Sequence, residues 1–147
     1  MENRLKWAHF LGYFLLWGCA VLMSVQGIAL LTGASYRIQA VDVNELYAKY
    51  PACQIIDYSY AVIMISLAVF EIYTAISIIR YKQKAGLFVC AIYILWPLAS
   101  ILYLICLSII GGRIIFDQGI IIRVIYDMVM FFVNWIYFNS RKDVFIN

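Results

Sequence analysis

A single histidine, His9, stands in 147 residues, too few for one chain to give a haem two axial imidazoles or to build a histidine-rich metal site. The four cysteines, Cys19, Cys53, Cys90 and Cys106, form no C-x-x-C pair, which argues against a membrane thiol oxidoreductase. No Gly-rich phosphate loop, Walker motif or H-E-x-x-H occurs. Charge is scarce as well: 13% of residues are charged, against roughly a quarter in an ordinary soluble domain. These absences predict a protein that is not an enzyme, with no cofactor and no metal.

What is present is apolar. Hydrophobic residues make up 66% of the chain and aromatic residues 17%. They form four long stretches, and about 20 apolar residues are what spanning a hydrocarbon core of ~30 Å requires. The expected spans are 7–31, 58–79, 87–110 and 120–138. A cleaved signal peptide would have an apolar core of about 7 to 15 residues, and the run 10–31 exceeds that, so it is read as a span. The predicted fold is therefore all-α, a polytopic membrane protein with four transmembrane helices in one bundle, and residues 1–147 form one domain.

The net charge of +3 is read as a topology signal, with no nucleic acid implied. Arg4 and Lys6 precede the first span, Arg80, Lys82 and Lys84 fill the second connection, and Arg141 and Lys142 follow the fourth span. On the other side Arg37, Lys49 and Arg113 are diluted by Asp42, Glu45, Asp57 and Asp117. The positive-inside rule then places both termini in the cytoplasm. The ending Tyr137-Phe138-Asn139-Ser140-Arg141-Lys142 is ordinary for small bacterial membrane proteins, so the expected location is a bacterial cytoplasmic membrane. Two four-span patterns are missing: the paired cysteines and W-G-L-W of claudin-like proteins, and the first-span glutamate of small multidrug exporters.

Segment 32–57 is the sizeable connection. Asp42-Val43-Asn44-Glu45 has the spacing of a helix-capping box, and Val43, Leu46, Tyr47 and Tyr50 follow at helical spacing before Pro51. A short amphipathic helix is predicted there, resting on the outer interface or on the bundle. Trp7, Tyr81, Trp135 and Tyr137 on one side, with Tyr36, Tyr58 and Tyr60 on the other, are read as interfacial belts. Pro97 is expected to kink the third span. His9, Gly12, Cys19, Met23 and Gln26 share one face of the first; Cys53 and Cys106 both lie towards the outer side, where pairing and free thiols are both open.

Glu71, Arg123 and Asp127 are the charges set well inside the spans, where each costs at least about 2.5 to 3.5 kcal/mol unless offset. Arg123 and Asp127 are one turn apart and are expected to pair. Met130, Asn134 and Tyr137 continue their stripe, while Ala68, Thr74 and Ala75 give Glu71 a face small enough for close helix packing. Counting at about 1.5 Å per residue, one outward-facing pocket lined by Glu71, Asp127 and Arg123 is geometrically allowed. Glu71, Arg123, Asp127 and Asn134 are thus the candidate binding cluster. Two readings stand open for it: a buried ion pair beside a protonated Glu71 bonded across helices, or a site for a ligand, ion or proton. The first makes the protein an accessory, interaction or assembly subunit, whose partners are the lipid bilayer and either further copies of itself or another membrane protein. The second makes it a small transporter or channel subunit.

Overall fold

The computed structural model describes residues 5–38, 40–112 and 118–146, and it is all-helical among them. Four helices are long and apolar enough to cross a membrane: α1 (Lys6–Leu31), α4 (Pro51–Ile79), α5 (Ala85–Gly111) and α6 (Gln118–Asn139). Two short helices, α2 (Ala34–Ile38) and α3 (Val43–Lys49), lie in the connection between the first two long ones. Arg4, Arg113 and Asp117, which entered the charge argument, lie outside the described residues.

Local chemistry sets the ends of these elements. Asp42 caps α3 as its spacing predicts, its Oδ1 accepting from the Asn44 amide at 2.8 Å. Gly33 precedes α2 at φ +69°, where a Cβ would also lie 3.0 Å from Val43 Cγ1. Pro51 both ends the α3 pattern and opens α4, since a first-turn proline gives up no helical hydrogen bond. The second long helix therefore starts at residue 51, where the sequence reading placed it at 58. That reading ended the connection at Asp57, whereas the Asp57 carboxylate is satisfied inside the protein. α5 runs without a break through Pro97 and ends at Gly112 in the left-handed region, φ +60°.

The long helices pack in chain order, α1 on α4, α4 on α5 and α5 on α6. Ala61, Ala68 and Ala75 form a fully buried small-residue seam along α4. Two glycines of α1 meet that helix, and a Cβ at Gly27 would stand 2.9 Å from Ile65 Cγ1 and 3.1 Å from the Ala61 carbonyl. Side chains then tie α1 to α6: the Trp7 indole donates to Asn134 Oδ1 at 3.0 Å, and the Ala8 amide donates to the Tyr137 hydroxyl at 3.3 Å. Within α1, residues Leu11–Leu15 form a π-helical turn, in which the Gly12 carbonyl accepts from the Trp17 indole at 2.9 Å.

The distribution of polarity is the reverse of a soluble protein's. Phe14, Ile109 and Ile122 are among many large apolar side chains on the exterior, while Asp57, Glu71, Thr74, Asp127 and Asn134 are buried. This is the distribution that a hydrocarbon surrounding would require, because hydrocarbon offers polar groups no partner.

Candidate functional site

Most buried polar side chains close on their own helix. Thr74, Ser77 and Ser100 each donate to a carbonyl four residues earlier, at 2.8, 2.8 and 3.1 Å. Three buried groups do not: Glu71 Oε2, Asp127 Oδ2 and Trp96 Nε1 have no hydrogen-bond partner. Their residues are 2%, 4% and 5% exposed, so each orphan atom carries a desolvation cost of about 1 to 3 kcal/mol or more. All three line one small cavity of about 40 Å³ at the meeting of α1, α4, α5 and α6.

The helices bring these groups together from distant parts of the chain. Glu71 projects from the alanine seam of α4, beside Ala68, Thr74 and Ala75 as read from sequence. Asp127 begins the buried stripe of α6, followed by Met130, Asn134 and Phe138. Leu15, Leu16 and Cys19 close the cavity from the segment of α1 around the π turn. Arg123 lines it too, but among the described residues no ion pair joins it to Asp127. Its guanidinium lies over the Trp96 indole, 4.5 Å from the ring centroid, and Asp127 Oδ2 is left without a hydrogen-bond partner. The expected Arg123–Asp127 pair is thereby corrected, and Glu71 Oε2 makes no bond across helices either.

Arg123, Asp127 and Trp96 also form the inner wall of a larger pocket of about 460 Å³, which reaches to Ser35 and Gly119 near the short helices. Gln26 of α1 lines it as well. Tyr60 and Tyr103 flank this pocket, their rings stacked at 4.2 Å, with the Tyr60 hydroxyl 3.1 Å from Ser100 Oγ. So the trio does share one region, as the depth count allowed. Asn134 does not join it: its Oδ1 accepts from Trp7 and its amide donates to the Met130 carbonyl at 2.7 Å, which makes it a tie between α1 and α6.

At the end of the pocket that carries α2 and α3, Asp57 is 0% exposed and accepts three phenolic hydrogen bonds. Tyr36 of α2 and Tyr47 of α3 donate to Oδ2 at 2.5 and 2.9 Å, and Tyr103 of α5 donates to Oδ1 at 2.8 Å. Burial, with the bonds to Asp57 second, pushes the Tyr36 and Tyr47 phenols above their usual range and keeps them donating. Asp57, Tyr47, Tyr103 and Trp96 were not among the sequence-read site residues. Tyr36 and Tyr60, read as belt anchors, are half-buried and turn their hydroxyls to Asp57 and Ser100. The signal available was an acidic residue inside a helical pattern with no basic neighbour.

His9 Nε2 lies 3.0 Å from the Tyr81 hydroxyl, and all four cysteines are free thiols. Among the described residues no three His, Cys, Asp or Glu side chains gather as a metal ion would need. No family model, curated protein or solved structure matches this chain.

Proposed function

We propose that this is an integral membrane protein whose long helices insert as a four-helix bundle, and that it works as a small transporter or channel subunit without catalysing a reaction. Its binding site is the polar region at Glu71, Arg123, Asp127 and Trp96, entered through the larger pocket. The observation that carries this reading is the pair of buried carboxylate oxygens, Glu71 Oε2 and Asp127 Oδ2, left without partners around one small cavity. A packing role would have closed these bonds, because unmet polar groups cost most where the dielectric is low.

The test is Glu71→Gln in liposomes. The variant keeps the shape of the side chain and loses only its charge and titration. We expect it to melt like the wild type while proton or solute flux falls to background. Equal flux in both proteins would remove Glu71 from any pathway.

A second reading, an accessory or assembly subunit, draws on a different feature. An apolar groove of about 630 Å³ runs between α5 and α6, walled by Ile101, Leu104, Ile105, Val124 and Ile125, and it fits a lipid chain or a neighbouring helix. Wild-type protein that moves nothing in liposomes yet purifies at several times the monomer mass would favour it.

For orientation we place both termini and the connection holding Arg80, Lys82 and Lys84 in the cytoplasm of a bacterial cell, and α3 outside. Cys53, being buried, is a poor reporter of this. Asn44 is exposed, so Asn44→Cys is expected to react with an impermeant maleimide on intact cells. Reaction only after the cells are opened reverses the topology.

A further inference from the structure

The three orphan atoms are not alike, and their difference carries information about what the site holds. Glu71 Oε2 and Asp127 Oδ2 are acceptors in want of donors, while Trp96 Nε1 is a donor in want of an acceptor. Beside Trp96 lies the Arg123 guanidinium, which has five N–H donors and no acceptor. The region therefore has two chemical halves, one asking for N–H groups and one asking for a negatively charged oxygen. A bare cation would satisfy the carboxylates and leave the indole and guanidinium unmet, and a bare anion would do the reverse. A ligand carrying both charges meets both halves and adds no net charge at a depth where net charge is expensive.

Arg123, Asp127 and Trp96 line both spaces of the site, and Glu71 lines the smaller one alone. About 40 Å³ beside Glu71 and Asp127 is room for little more than one water-sized group, such as an ammonium. About 460 Å³ on the other side of the shared wall falls within the ~300 to 1,000 Å³ of ordinary small-molecule pockets. Resting on the solute-binding reading above, we infer that the site takes a small zwitterion with a primary ammonium and a carboxylate, such as a neutral amino acid. The ammonium lies between Glu71 and Asp127, the carboxylate faces Arg123 and Trp96, and the remainder occupies the larger pocket among Tyr60, Met64 and Tyr103.

Four probes on the purified full chain in detergent test this by calorimetric titration and ligand-induced thermal shift. They are L-alanine, ethylammonium chloride, sodium propionate and N,N,N-trimethylglycine, the last a zwitterion without N–H donors. We expect L-alanine to bind at least about tenfold more tightly than each of the others, the loss expected when one charged half goes unmet. Trp96→Phe should weaken L-alanine by about tenfold while leaving the protein folded, and Glu71→Gln should weaken it at least as much. Ethylammonium binding as tightly as L-alanine would overturn the zwitterion and leave the solute site standing. Trimethylglycine matching L-alanine would refute the ammonium placement. Silence from all four probes would take down both the zwitterion and the solute-binding reading beneath it.

Discussion

Asp57→Ala is expected to cost more stability than any other single truncation among the polar residues, about 3 kcal/mol or more, although it deletes only one small side chain. The carboxylate holds four helices at one point. It projects from α4 and accepts from Tyr36 on α2, Tyr47 on α3 and Tyr103 on α5. Hydrogen bonds to a charged group contribute about 1.5 to 3 kcal/mol each, and alanine would strand three hydroxyls at once. All three tyrosines are partly exposed, so water recovers part of that loss, which is why the expectation sits below the sum of three such bonds. Asp57→Asn should cost less, because its carbonyl still accepts and its amide can donate to a phenolic oxygen. Melting in detergent reads the ranking. A double-mutant cycle sharpens it: on a Tyr103→Phe background, Asp57→Ala should lose noticeably less than it does alone. Additive losses would mean that the carboxylate and Tyr103 do not interact. Because Ser35 and Tyr103 also line the larger pocket, the same variant should expose the segment around α2 and α3 to protease.

The long helices and α3 were legible in the sequence because each rests on a local rule. Length and apolarity mark a helix able to cross hydrocarbon, and an aspartate at the cap position followed by helical spacing marks α3. What was not legible depended on partners supplied by other helices. Asp57 reads as the end of a connection until three tyrosines from three elements are found around it. Arg123 and Asp127 read as a pair because spacing reports neighbours along one helix, and it says nothing of a competing indole on α5. Asn134 falls on the correct buried stripe of α6, yet periodicity gave its face without its partner, the Trp7 indole at the start of α1. The π turn has no sequence signal in this apolar run. The convergence of Glu71, Arg123 and Asp127 was within reach by counting residues along two helices, whereas Trp96, the group that joins them, looks like any membrane tryptophan.

Trp96 separates packing from polarity more cleanly than any other position. Its indole is 5% exposed, packs with Ala20, Met23, Met64, Leu67 and Ala68, and supports the Arg123 guanidinium. Trp96→Ala removes all of this and is expected to destabilise by about 3 to 5 kcal/mol. Loss of the cation–π contact, about 0.5 to 2 kcal/mol, lies within that range rather than on top of it, because the cavity can admit water to the freed guanidinium. Trp96→Phe should behave quite differently. It keeps an aromatic face under Arg123 and deletes the one indole atom that lacks a partner, and an unmet buried donor costs about 1 to 3 kcal/mol. That return offsets the volume lost in going from indole to phenyl, also about 1 to 3 kcal/mol, so the net change should be close to zero. For a chain of this size each kcal/mol moves the melting temperature by roughly 2 to 4 °C, so the two variants should differ by on the order of 10 °C. If Trp96→Phe instead falls as far as Trp96→Ala, the indole N–H is bonded in the folded protein. The donor half of the site would then rest on Arg123 alone.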